Sequence, residues 1–435
     1  MPVNEQRYRL FKNTTWMVLA RAFRAGEAII RSIVVARFLG VELYASYAVI
    51  SAFALTWISV FNANIGTTLV KFGTELKEAG DAPKFRAIVR LAYVSTAALY
   101  ALYCLVSVVA TIFLYDVFFT EPGLRWQVIL FSVASGASLF GLLGKTLLLM
   151  HNRFKVNTFV DISVSTLNVL IVLLVSVTYK QSLTAVVVAI AATIVFSELA
   201  SNLAAFIELR GALKKWYCAP LVHLEGRFRG YYKFTFANAF ARALEGMTKS
   251  LDILILASVA SAPAVAVYDI ARKLAGTLLL LKDPISLAAM PQFASLIARK
   301  EFITFKQLIH SVYMRMLPLG FGIFLLVALT DKWLLVIWGA DFQDPGWVVL
   351  LAISRTMIIL LFFWVIPLVL NMGLVRIRLV AVVVGSFTGF TLSIILVRTH
   401  GAEGVAFAML IGALLNYMIM AIIGLRRIEK QHKPT

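Results

Sequence analysis

Charge is scarce in this chain, and acidic charge scarcer still. Only 14% of its 435 residues are charged, with 22 Asp and Glu against 41 Lys and Arg, for a formal net charge of +19. Soluble domains carry about a quarter charged residues, which excludes an ordinary soluble protein. Cysteine is nearly absent: Cys104 and Cys218 are the whole complement. That excludes a disulfide framework and a thiolate metal site and implies two free thiols. Catalytic signatures are missing too. There is no Walker A sequence, no HExxH, no Gly-rich dinucleotide fingerprint and no Gly-x-Ser-x-Gly elbow. No enzyme is expected, and no catalytic residue, cofactor or metal is assigned. His151, His223, His310 and His400 fall at loops or span ends. Met1–Lys12 is polar and basic without a small-residue cleavage site after it, so no cleavable signal peptide is expected.

What the chain has is apolar length. It is 61% hydrophobic with a mean hydropathy of +0.87. Apolar segments run roughly at 13–38, 44–66, 87–115, 126–150, 157–179, 183–207, 231–258, 267–289, 308–329, 345–372, 376–397 and 402–425. Each is long enough for a spanning helix of about 20 residues and too long for a barrel strand. Alternate loops are basic, among them Lys71–Arg86, Arg153–Lys155, Lys214–Arg229, Arg299–Lys306 and Arg376–Arg378, whereas the others are short, mixed or acidic. The positive-inside rule then places both termini in the cytoplasm, and it covers most of the excess positive charge without invoking nucleic acid.

The longest connection, at 208–230, is basic and falls at mid-chain. It separates an N-terminal six-helix lobe, 1–207, from a C-terminal one, 231–435. Sliding the chain by 221 residues sets Ala20-Arg21-Ala22 on Ala241-Arg242-Ala243, Tyr47 on Tyr268 and Phe72 on Phe293. Six spans per half leave both halves inserted the same way up, as in transporters built from parallel repeats. The expected fold class is an all-α integral membrane protein of about twelve helices in two lobes.

A few charges lie inside the apolar segments. Arg21, Arg24, Glu27 and Arg31 fall on one face of the first, and Arg242, Glu245, Lys249 and Asp252 on one face of the seventh. A charge at mid-bilayer costs about 2.5–3.5 kcal/mol on insertion scales, so such stripes line a wet cavity or pair with one another. The bland alternative is a set of pairs such as Arg24–Glu27 and Lys249–Asp252 that only hold the bundle together. Arg355 lies too deep to snorkel, and one of Arg272 and Lys273 is expected to line the cavity while its neighbour turns elsewhere. Lys145 is as readily a snorkelling residue. Glu198 and Asp161 are candidate proton or cation sites, or carboxyls neutralised by burial or by an Arg. Pro284, Pro318 and Pro367 interrupt spans.

The sign of these charges points to the cargo. A cavity for cationic drugs favours carboxylates and aromatic rings, whereas Arg and Lys favour an anion, and the planar Arg fork suits pyrophosphate. The candidate substrate-binding residues are therefore Arg21, Arg24, Arg31, Arg242, Lys249, Arg272 and Arg355. Glu27, Glu198, Glu245 and Asp252 are the supporting or ion-coupling carboxylates.

The stretch VVARFLGVELYASYAVISAF (Val34–Phe53), its second-half counterpart LDILILASVASAPAVAVYDIARKLAG (Leu251–Gly276) and MPQFASL (Met290–Leu296) resemble a known family. They are similar to the polysaccharide-transporter branch of the multidrug/oligosaccharidyl-lipid/polysaccharide (MOP) exporter superfamily, the Wzx-type O-antigen and capsule repeat-unit flippases. The resemblance implies a MATE-like fold in the bacterial inner membrane. It also implies movement of an undecaprenyl-pyrophosphate-linked oligosaccharide from the cytoplasmic to the periplasmic leaflet by alternating access, with a proton or sodium ion as counter-ion. Polysaccharide assembly proteins are the partners it implies, and no nucleic acid is among them. Two other readings stand beside it: a MATE-like multidrug or metabolite antiporter, and a polysaccharide polymerase or lipid-linked glycosyltransferase. The longest outside loop, Thr330–Pro345, is too short for the domain such an enzyme commonly needs.

Overall fold

The computed structural model describes residues 3–119, 121, 123–247, 250–279, 293, 296, 301–342, 346–372 and 374–432. Within these, the side chains of 3–14, 18, 237, 238, 240–242, 244, 245, 247, 302, 312, 315, 316, 319, 331, 332, 370, 371, 375 and 429–432 fall outside the description. Among the described residues the chain is helical, with no strand. The helices are α1 (Val3–Phe61), α2 (Ile65–Glu78), α3 (Ala82–Phe118), α4 (Arg125–Gly136), α5 (Ser138–Met150), α6 (Phe154–Thr178) and α7 (Leu183–Glu208). They continue with α8 (Phe228–Met247), α9 (Leu251–Ala257), α10 (Ala262–Leu278), α11 (Phe302–Val336), α12 (Val348–Leu361), α13 (Val365–Asn371) and α14 (Val375–His432).

The apolar segments map onto these helices with instructive mergers. The first two form the single run α1, turned at Gly40, where φ is 74° and ψ 175°. That backbone region is open in practice only to glycine. The last two form α14, turned at Gly401 with φ 51°. The fourth segment is α4 with α5, the seventh α8 with α9, and the tenth α12 with α13. Of the prolines, Pro318 lies inside the continuous α11. The tenth segment breaks at Phe362–Trp364, ahead of Pro367, so Pro367 sits in the first turn of α13, where its missing N–H is tolerated. Pro284 lies outside the described residues.

Element boundaries repeat through the chain. α3 and α11 start 220 residues apart, at Ala82 and Phe302; α6 and α14 start 221 apart, at Phe154 and Val375. The ends of α5 and α13, Met150 and Asn371, are also 221 apart. The turn between α6 and α7 has its counterpart in the bend at Gly401. Local signals set several of these limits. Asp81 caps α3 by accepting the Lys84 backbone N–H at 3.1 Å, with Pro83 in the first turn.

Among the described residues, six helical runs are long and apolar enough to cross a membrane: Thr15–Glu78, Ala82–Phe118, Arg125–Met150, Phe154–Thr178, Leu183–Glu208 and Arg376–Ile428. Large apolar side chains such as Phe113, Phe159, Leu174, Phe321 and Trp333 are exposed. Water would not tolerate so much of that surface, but hydrocarbon does. The chain is a multi-pass membrane protein.

The chain divides into two compact units. The first comprises Met1–Leu39 and Val49–Leu251, the second Gly40–Ala48 and Asp252–Thr435. The first unit's core runs through Leu69, Phe85, Ile88, Leu143, Leu147 and Tyr231. It extends under the basic connection, where Leu209, Leu213 and Leu224 are buried. Arg86 and Arg90 of α3 donate to the carbonyls of Ala212 and Ala219 there, at 3.1 and 3.0 Å. The second unit's core is built from Phe293, Phe305, Trp364, Leu368 and Met420. Cys104 and Cys218 are free thiols.

Candidate functional site

Among the described residues, each unit holds a cluster of buried and half-buried charge. In the first unit four helices contribute. α1 brings Arg24, α5 Lys145, α6 Asn157 and Asp161, and α7 Glu198. Asp161 is the hub. Lys145 lies 3.0 Å and Arg24 3.5 Å from its carboxylate oxygens, and the Asn157 amide donates to it at 3.3 Å. Lys145 is thus directed into the helix bundle and not along the helix to the surface. Glu27 pairs with Arg31, one turn on, at 3.1 Å. The pairing of Arg24 with Glu27 is replaced by the longer-range one to Asp161. Arg21 is half-buried on α1. Asn202 is occupied by structure, with Tyr93 donating to its carbonyl at 2.5 Å and its amide donating to Glu198 O at 2.8 Å.

In the second unit two buried carboxylates organise three cations. Asp252, at the start of α9, receives Arg272 at 3.1 Å, Arg355 at 3.7 Å and the Tyr268 hydroxyl at 2.8 Å. Asp269 receives Lys273 at 2.6 Å, Arg272 at 3.5 Å and the Tyr44 hydroxyl at 2.9 Å. Lys273 also donates to Tyr44 at 3.0 Å and lies 5.2 Å from that ring's centroid, within cation–π range. Phe342 packs edge-on against the same tyrosine. Arg272 and Lys273 therefore both serve Asp269, one helical turn back on α10. The helix-face argument missed Asp269 and Tyr44, although the Asp-x-x-Arg-Lys spacing at 269–273 was a visible signal. Of the seventh-segment stripe, Arg242 and Glu245 lie on α8 with side chains outside the description, and Lys249 lies outside the described residues. Asp252 lies on α9.

Exposure separates the two signs of charge. The Asp252 and Asp269 side chains are 0% and 3% exposed, whereas Arg272, Lys273 and Arg355 are 22%, 33% and 21% exposed. The carboxylates form a fixed floor, and the cation heads are what the surroundings meet. Among the described residues, three cations over two carboxylates leave an excess of one positive charge. The buried Arg355 Nε also has no hydrogen-bond partner. Chemically this is an arrangement for holding an anion, with Arg geometry suited to phosphate oxygens.

Fold and site together define a multi-pass α-helical membrane protein of the MATE-like class. An inward-facing multidrug resistance MATE family transporter of the MOP superfamily is similar with a TM-score of 0.74 at 14% identity, covering 94% of this chain and 96% of that one. The Vibrio cholerae MATE transporter VcmN gives 0.65 at 13% identity, covering 98% and 97%. A MOP superfamily transporter from Pyrococcus furiosus, described as having a binding pocket of reverse polarity and a different function, gives 0.60 at 13%, covering 98% and 96%. No curated protein sequence matches the chain. The polysaccharide biosynthesis protein family matches it over residues 10–297. The chain belongs to that family.

Proposed function

We propose that this protein is a flippase. It carries an undecaprenyl-pyrophosphate-linked oligosaccharide, an O-antigen, capsule or exopolysaccharide repeat unit, from the cytoplasmic to the periplasmic leaflet of a bacterial inner membrane by alternating access. The observation that carries this reading is the excess, among the described residues, of partly exposed Arg and Lys over the buried carboxylates Asp252 and Asp269. A carrier pyrophosphate is doubly anionic or more and must shed water to cross. Guanidinium groups already held in place by Asp252 and Asp269 replace that hydration without reorganising. Membership of a polysaccharide biosynthesis family and a fold shared with MATE transporters support the same cargo class and mode of action. Both termini lie in the cytoplasm in this reading. A multidrug antiporter for cationic compounds would place its positive charges badly, since like charge repels the cargo.

Deletion of the gene followed by complementation tests the reading. Wild type should restore surface polymer, whereas Arg24→Ala combined with Arg272→Ala should leave the lipid-linked intermediate on the cytoplasmic leaflet. Single repeat units appearing outside yet unpolymerised in the deletion strain would instead identify a polymerase.

A further inference from the structure

Glu198 lies on α7, ten residues before its end and inside a run apolar enough to cross a membrane. α5 passes so close that a Cβ on Gly141 would fall on the Glu198 carboxylate. One at Gly144 would come within 2.7 Å of the Ser201 carbonyl oxygen. The glycine seam of α5 is what admits the carboxylate between the two helices. Yet that carboxylate makes no hydrogen bond or ion pair with any described residue. Asp161 is the reverse case, holding Lys145, Arg24 and the Asn157 amide at 3.0, 3.5 and 3.3 Å. One carboxylate has two cations and its neighbour none. Lys145 stands one turn beyond Gly141 on the same face of α5, and Asp161 and Arg24 are the other charges of the cluster. α4 also packs against α7, and its one charged residue, Arg125, is paired with Asp116 at 3.2 Å.

We propose that Glu198 binds a proton and that this proton decides which carboxylate Lys145 holds. With Glu198 protonated, Lys145 and Arg24 share Asp161, and the cluster carries one net positive charge. With Glu198 ionised, its proton released to water, Lys145 turns to Glu198, Asp161 keeps Arg24 alone, and the cluster is neutral. The flexible four-carbon stem of Lys145 makes the exchange a rotamer change. The Arg24 side chain is 45% exposed, so the surplus charge of the protonated state is offered where an anion can meet it. A proton at Glu198 and an anion at Arg24 therefore favour each other, and by linkage each strengthens the other by the same factor. Proton and anion bind together here, where a simple exchanger would have the proton displace the cargo. This inference rests on the anionic-cargo reading and assigns its regulation to named residues.

Acid-minus-alkaline infrared difference spectra of the full chain in nanodiscs test it, through the carbonyl stretch of a protonated carboxyl. Glu198→Gln should abolish one such band, and Asp161→Asn should retain it. Lys145→Met should move the band's disappearance to higher pH. Added pyrophosphate should do the same in wild type and not in Arg24→Gln. A band that survives Glu198→Gln, or a midpoint that pyrophosphate leaves unmoved, overturns the proposal. Glu198→Asp guards against misfolding of the Gln variant, and it must shift the band's frequency if Glu198 is its source. No oligosaccharide enters these measurements. Failure of the flippase reading would instead show as a wild-type chain that leaves the intermediate on the inner leaflet while the spectra behave as stated.

Discussion

Asp252 and Arg272 lie 3.1 Å apart across the turn between α9 and α10, with the Asp252 side chain wholly buried. The turn brings the carboxylate at the start of one short helix onto the guanidinium in the third turn of the next. Tyr268 completes the carboxylate's shell from one turn before Arg272.

That pairing gives the first prediction. Asp252→Ala removes the common partner of Arg272, Arg355 and Tyr268, and it leaves Arg272 with only its longer contact to Asp269 at 3.5 Å. Removing one member of a buried pair costs about 3–5 kcal/mol. The variant should unfold at clearly lower temperature in detergent micelles. Arg355→Ala should cost less, because its contact is the longer one at 3.7 Å.

Packing at Gly141 gives the second. A methyl group there falls on the Glu198 carboxylate, and overpacking of this kind costs about 1–3 kcal/mol. Gly141→Ala should therefore destabilise the wild-type background and do so far less when combined with Glu198→Ala. Thermal unfolding of the four proteins in the cycle measures the non-additivity.

The turn at Gly40 gives the third. Its φ of 74° with ψ of 175° is a region that costs a residue with a side chain about 1–3 kcal/mol. Gly40→Ala should lower thermal stability by that amount even though no atom stands in the way of the new methyl group. Gly26→Ala on the same helix, also without a neighbour within 4 Å, should cost nothing comparable.

A fourth prediction concerns pH. His151 ends α5 in the turn before α6, where burial, followed by the positive charges of Lys77 and Arg153, lowers its pKa below the usual 6.5. Its neutral ring packs edge-on against Phe85 at 5.6 Å. A folded-state pKa below the unfolded one means the contribution is complete above pH 6.5 and lost as pH falls through the folded value. Stability should drop on acidification below about pH 6.5, and His151→Gln should flatten that part of the profile.

Much of the architecture was legible in the sequence. Apolar runs of spanning length, alternation of basic loops and a constant offset of 221 residues anticipate helix limits such as Phe154 and Val375. Gly40 and Gly401 fall between apolar segments, so a connection was legible at each; that helix continues on both sides of a single bent glycine was not, because periodicity does not report how tight a connection is. The charge clusters were legible only in part. Helix-face arithmetic brings together residues of one helix, so the only partners it could offer were Arg24 with Glu27 and Lys249 with Asp252, as the alternative to a cavity-lining stripe. The strongest partners come from elsewhere: Asp161 and Lys145 meet because α5 and α6 pack, and Asp269 meets Tyr44 across 225 residues of chain. Periodicity within one segment carries no information about such partners.

The most direct test of the flippase reading is transbilayer movement by the purified chain. Proteoliposomes would carry a fluorescently labelled undecaprenyl-pyrophosphate oligosaccharide, and a membrane-impermeant quencher would report the share exposed on the outer leaflet over time. The reading predicts that wild type equilibrates the label between leaflets, while Arg24→Ala with Arg272→Ala leaves the inner pool protected as in protein-free vesicles. Protection of the inner pool by correctly folded wild type would contradict it.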